Sequence, residues 1–78
     1  MILPAPEYVE LRRLQPTQHA LYLDDVKDIA SHFDRKREPI KVLYHNGRYF
    51  ILDGHHRAAA AALLQRGSVL AYIITTES

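Results

Sequence analysis

Residues 53–57, Asp-Gly-His-His-Arg, place a carboxylate, two imidazoles and a guanidinium within five positions. They lie between an apolar run, RYFILD, and a run of five alanines at 58–62. The first run has the composition of a strand and the second that of a helix, so these side chains stand where one element hands over to the other. A helix start presents main-chain amides with no acceptor inside the helix and about half a positive charge. Anions bind readily at such a turn. Gly54 can bend sharply and admit a ligand to the backbone, because it has no Cβ. Arg57 can clamp phosphate oxygens with its fork of donors. His55 and His56 can donate hydrogen bonds or move a proton, and with Asp53 they are the candidate catalytic groups. The alanines form helix well and have little bulk, which lets the helix approach a sheet closely.

Two plainer readings compete. Asp53 can be the N-cap of the helix, with both histidines in solvent. Three basic residues at a helix N-terminus oppose the dipole, however, and a broken local rule of this kind is expected at functional sites. A dedicated zinc site is the other rival, and none is expected. His55 and His56 are adjacent, so on a helix they point ~100° apart. His19, His32 and His45 show no ligand spacing. Magnesium carried in by a nucleotide suits the residues better, with Asp53 as its candidate ligand.

Composition narrows the classes of function. Seventy-eight residues make a single domain, 1–78, and a chain so short is marginally stable, so a ligand or a homodimer partner would help to hold it. The net charge of +1 argues against general nucleic-acid affinity. The absence of cysteine excludes disulfides, thiolate metal sites and cysteine nucleophiles. No apolar run reaches the ~20 residues of a membrane span, and the N-terminus MILPAPEYVE lacks the form of a signal peptide. No membrane partner is expected, and the expected location is cytoplasmic.

The elements that must position residues 53–57 can be read from periodicity. Residues 8–14, YVELRRL, alternate like a half-buried strand, with Val9 and Leu11 inward. Pro16 breaks that pattern. From Leu23, apolar residues recur every three or four positions through Val26, Ile29 or Ala30 and Phe33, which predicts an amphipathic helix. Asp24, Asp25 and Asp28 crowd its start and Arg35, Lys36 and Arg37 its end, as the helix dipole favours. IKVLYH and RYFILD flank Asn46-Gly47, the signature of a type I′ hairpin, and the second run is apolar enough for an interior strand. A second helix is expected over 54–66, with Gly67 as its left-handed C′ residue. VLAYII closes the chain as a strand. The result is an α+β domain, a mixed sheet with two helices in the order β-α-β-β-α-β.

With these residues in place, the chain resembles the ParB/sulfiredoxin-like superfamily over nearly its full length. The resemblance is carried by the LQPTQ segment after the first strand, by EPIKVLYHNGRYFILDGHHRAAAAALLQRG, and by the last apolar strand. DGHHR looks like the form found in ParB-like nuclease-domain proteins and free serine kinases. The resemblance implies a nucleoside di- or triphosphate (ATP, ADP or CTP) as partner. Its phosphates would meet Gly54, His55, His56 and Arg57, with Thr17 and Gln18 approaching from the loop after the first strand. Pro39, Ile40 and Val42 match a recurrent scaffold feature. Sulfiredoxin carries its catalytic cysteine where this chain has His55, so sulfinic-acid reduction is not expected. Partition ParB proteins carry Gly-Glu-Arg-Arg at this turn and continue into DNA-binding and dimerisation domains. An excised nucleotide domain or a stand-alone relative is therefore expected, not a complete partition protein.

Three functions follow as expectations. The first is a nucleotide-binding domain with phosphoryl transfer or hydrolysis. Asp53 is its assured carboxylate, and Glu7, Glu10, Asp24 and Asp25 would join only if the fold brings them. The second is a DNA-associated nuclease or plasmid or phage regulator, with Arg12, Arg13, Arg35, Lys36 and Arg37 on the backbone. The DRKRE run has a simpler reading as a solvated helix end. The third is an inactive interaction protein presenting tyrosines, although Tyr44, Tyr49 and Tyr72 read more simply as packing.

Overall fold

The computed structural model describes residues 4–16, 21–34 and 38–75. Strand β1 (Glu7–Glu10) leads through one 3₁₀ turn (Leu11–Arg13) into a two-residue strand, β2 (Leu14–Gln15). Helix α1 (Leu23–Ser31) precedes the hairpin of β3 (Ile40–His45) and β4 (Arg48–Asp53). Helix α2 (His55–Leu63) and strand β5 (Ser68–Thr75) follow. The expected order holds, with the first strand divided in two.

That division shapes the sheet. The strand order is β1-β5-β3-β4-β2, so β1 and β2 occupy opposite edges although only three residues separate them. A 3₁₀ turn advances about 2 Å per residue and so covers only about 8 Å. Five flat strands would span roughly 19 Å. The sheet must therefore curl until its edges come near each other. The Leu11 amide fixes the crossing by donating to the Gly67 carbonyl at 2.9 Å. Leu11, expected on the strand's inner face, instead packs half-buried against the core from this turn.

Within the sheet β1 is antiparallel to β5, β5 parallel to β3, β3 antiparallel to β4 and β4 parallel to β2. The hairpin turn forms as read, with Asn46 and Gly47 at φ 51° and 77°. Val9, Ile40, Val42, Ile51, Val69 and Ala71 alternate inward and meet Ala58 and Ala61 of α2 in one buried cluster. Ala60 and Ala61 are completely buried, and Ala61 joins the sheet cluster, where small side chains let the helix pack closely. Tyr44 and Tyr49 face each other across the hairpin with ring centres 4.9 Å apart, which fits their reading as packing residues.

Both helices differ from expectation at their ends. α1 buries Val26 and half-buries Ile29 and Ala30, whereas Leu23 remains 61% exposed. Phe33 lies beyond the last helical residue yet packs on the core. Arg35, Lys36 and Arg37 lie outside the described residues. α2 begins one residue later than expected and ends at Leu63. Its left-handed C′ residue is Gln65, at φ 56°, not Gly67. The Arg66 amide donates to the Ala61 carbonyl and the Gln65 amide to that of Ala62, the pair of bonds that defines a Schellman motif. Gly67 is also left-handed, at φ 80°, but serves the turn into β5. A non-glycine residue in this conformation is disfavoured. Gln65→Gly is therefore expected to stabilise the domain by about 0.5–1 kcal/mol. Urea denaturation checks this, and an unchanged or lower midpoint refutes it.

Candidate functional site

β4 ends at Asp53, and Gly54 makes the corner into α2 at φ 103° and ψ 26°. No L side chain adopts that φ comfortably. Space forbids one as well, because a Cβ on Gly54 would lie 2.5 Å from Ile40 Cγ2, 2.7 Å from Ile40 Cβ and 3.2 Å from Ile40 Cα. The turn is thus pressed against the start of β3, and glycine is required on two independent grounds. Gly54 is also the N-cap, so no side chain caps α2, and the plainer reading of Asp53 in that role does not hold. The first intrahelical bond runs from the Ala58 amide to the Gly54 carbonyl at 2.9 Å.

A cleft of about 740 Å³ opens beside this corner. Its walls are Asp28, Ile29 and His32 of α1, the lead-in Glu38-Pro39-Ile40, the end of β4 at Leu52 and Asp53, and the whole turn from Gly54 to Arg57. Asp53, Gly54, His55, His56 and Arg57 all border this cleft. Thr17 and Gln18 lie outside the described residues. Glu7, Glu10, Asp24 and Asp25 do not line the cleft; its carboxylates are Asp28, Glu38 and Asp53. Asp28, Glu38 and His32 escaped sequence reasoning. Asp28 and His32 stand four residues apart and so share a helix face, but nothing local says that this face looks onto the α2 turn. His32 Nδ1 lies 2.9 Å from the Asp28 carbonyl oxygen and 2.8 Å from Ser31 Oγ, which ties the ring to the end of α1.

The three basic residues of the turn have three different environments. His55 is buried, with 9% of its surface exposed. Burial pushes its imidazole below the ordinary histidine range, the neighbouring His56 adds to this, and Asp53 opposes it. His56 accepts the Tyr22 amide at Nε2 over 3.2 Å, and the two rings stack 6.2 Å apart and nearly parallel. An accepting Nε2 places the ring proton on Nδ1. Arg57 Nη2 donates to the Phe33 carbonyl at 3.2 Å, and the guanidinium lies 4.6 Å above the Phe33 ring. Arg66 approaches the same ring at 5.7 Å while pairing with Asp34 at 2.7 Å. Arg57, expected to face an oxyanion, is thus engaged with the end of α1 while still bordering the cleft.

Among the described residues no three His, Asp or Glu side chains are grouped to hold a metal ion. Of the cations considered for DNA backbone contacts, Arg12 and Arg13 pair with Glu10 at 2.8 and 3.6 Å. Also among the described residues, no helix is long and apolar enough to cross a membrane.

The curled five-stranded sheet with two helices is the ParB/sulfiredoxin-like fold. Sulfiredoxin from Arabidopsis thaliana superposes with a TM-score of 0.82 at 19% identity, over 92% of this chain and 86% of that one. A C-terminally truncated chromosome-partitioning protein ParB from Caulobacter crescentus, complexed with CTP-γ-S, gives 0.77 at 18% identity, over 96% of this chain and 47% of that one. A free serine kinase in complex with AMP gives 0.77 at 21% identity, over 92% of this chain and 33% of that one. In sequence the chain is 36% identical over 73 residues to an uncharacterized protein of Methanocaldococcus jannaschii, covering 87% of this chain. The chain spans about a quarter of that relative, 27% of its length. No family profile matches the chain.

Two outcomes test this geometry. Gly54→Ala is expected to destabilise the domain by about 3 kcal/mol or more, combining backbone strain with a clash against Ile40. A urea midpoint within error of wild type would show that the corner is not so constrained. The second concerns pH. Because His55 binds its proton less readily when folded than when unfolded, its contribution is intact above the ordinary value of about 6.5. Stability should decline as pH falls from there through the lowered folded-state value. His55→Gln should flatten that decline in denaturation curves taken between pH 7.5 and 5, as two-state linkage requires. An equal slope in both proteins would refute it.

Proposed function

We propose that the chain is a nucleotide-binding domain that receives the phosphates of a nucleoside di- or triphosphate at the corner between β4 and α2. The observation that carries this reading is the cleft of about 740 Å³ set against a helix start whose corner residue has no Cβ. A ligand there meets Gly54, His55, His56 and Arg57, and its size suits a nucleotide. Free serine kinase bound to AMP and ParB bound to a CTP analogue share the fold and support the choice of ligand class.

Charge refines the proposal. Three carboxylates, Asp28, Glu38 and Asp53, border the cleft against one guanidinium. A bare polyphosphate would meet net repulsion there, whereas its magnesium complex would not. Oxygen donors suit magnesium, and their dispersal around the cleft fits an ion that arrives with its phosphate ligands. In this proposal Asp53 would contact such an ion, which would neutralise charge on the phosphates. In the same proposal Asp53, His55 and His56 are the groups for phosphoryl transfer or hydrolysis. The lowered proton affinity of His55 favours its neutral imidazole in that role.

The test is a thermal-shift panel of ATP, ADP, CTP and GTP, each with and without magnesium. Ligand at ~100 times its Kd adds about 2.7 kcal/mol, which for so small a domain raises Tm by roughly 10 °C. The shift should need magnesium and should shrink in Arg57→Ala and Asp53→Asn, each compared with its own unliganded Tm. No shift with any nucleotide would end the proposal. A response to duplex DNA that falls steeply with salt would favour a DNA-associated module instead.

A further inference from the structure

We propose that the docking of α1 is autoinhibitory: His56 and Arg57 clasp its two ends, and an oxyanion entering the α2 corner competes with α1 for those side chains. This rests on the phosphate-binding reading above and gives it a regulatory mechanism. His56 holds the start of α1 by accepting the Tyr22 amide and stacking on the Tyr22 ring. Arg57 holds the other end through the Phe33 carbonyl and ring. Two consecutive residues of one helical turn therefore grip both ends of a nine-residue helix.

The rest of α1 is lightly anchored. Val26 is its one buried residue, Ile29 and Ala30 are half-buried, and Tyr22 and Leu23 are 70% and 61% exposed. Elements with so little buried apolar surface open at low cost. The chemistry of His56 makes the competition specific. Nε2 accepts from an amide, so it carries no proton there, whereas donating to a phosphate from the same atom requires one. Nε2 cannot serve Tyr22 and an oxyanion together, so an anion that takes this atom, and not the Nδ1 proton, displaces Tyr22. Arg57 lies between the main cleft and a second cavity of about 240 Å³ on the other side of the Phe33 contact, and it lines both. Turning its fork toward phosphate oxygens takes it off the Phe33 ring. Reciprocity then requires that loosening α1 strengthen ligand binding as much as ligand binding loosens α1.

The experiment measures ADP binding with magnesium by calorimetry for wild type, Phe33→Leu and Tyr22→Ala, with amide hydrogen exchange across α1. Phe33→Leu keeps an apolar side chain on the core and removes the ring under Arg57, so ADP should bind roughly fivefold more tightly, the scale of one cation–π contact. Tyr22→Ala changes an exposed position and should act in the same direction without disturbing the core. ADP should also speed exchange in α1. If ADP binds all three proteins equally, or more weakly in the variants, or slows exchange in α1, competition is refuted while phosphate binding stands. If ADP binds none of them, the phosphate-binding reading fails and the autoinhibition fails with it.

Discussion

The contact between Gly54 and Ile40 is the constraint on which the rest of the site depends. The Gly54 backbone lies so close to the side chain and Cα of Ile40 that no Cβ fits between them. From this corner α2 packs on the sheet through Ala58 and Ala61, which lie in the buried cluster, and Ala60 is buried as well. The corner also determines which side chains follow it, since a helix beginning at His55 directs residues 55–57 around a single turn. The binding geometry and the core thus share one cause. Bulk added at residue 54 would disturb both.

The electrostatic anomaly at this corner has a largely structural resolution. Three basic residues at a helix N-terminus look costly when each is counted as a cation. Burial favours neutral His55, and His56 accepts a hydrogen bond at Nε2. Arg57 retains its charge but donates to the Phe33 carbonyl, just past the C-terminal end of α1, where the dipole of that helix is negative. The positive start of α2 and the negative end of α1 are therefore bridged by one guanidinium. Basic charge at the turn is thus weaker support for an anion than the sequence suggested. The cleft and the glycine corner carry more.

What could be read from sequence follows the range of the interactions involved. Asn46-Gly47 was legible because the two positive φ angles of the turn are local properties of those residues. The strand-to-helix corner was legible because Gly54 and the alanine run mark it directly. The course of residues 8–14 was not. Their alternation is real for Val9, but the crossing from one sheet edge to the other is dictated by pairing with β5 and β4, which are distant in sequence. Gly67 attracted the C′ assignment because glycine is the better left-handed residue, yet the bonds to Ala61 and Ala62 settle the helix end two residues earlier. His32 and Glu38 reach the cleft only through tertiary packing, and no spacing could reveal that.

These relations bear on what fold similarity can mean at 18–21% identity. A common scaffold explains why a strand-to-helix corner recurs, but the surroundings of each side chain are particular to the chain. Here Arg57 and His56 do structural work for α1, and acidic groups face them across the cleft. On the proposed reading, a ligand would have to outcompete an internal partner and bring its own positive charge. Both demands select against a simple phosphate ion, which offers few contacts in return. They favour a larger, metal-complexed ligand whose remaining atoms can occupy the walls at Pro39 and Leu52. On the proposed reading, phosphate binding at the corner and the docking of α1 draw on the same pair of side chains.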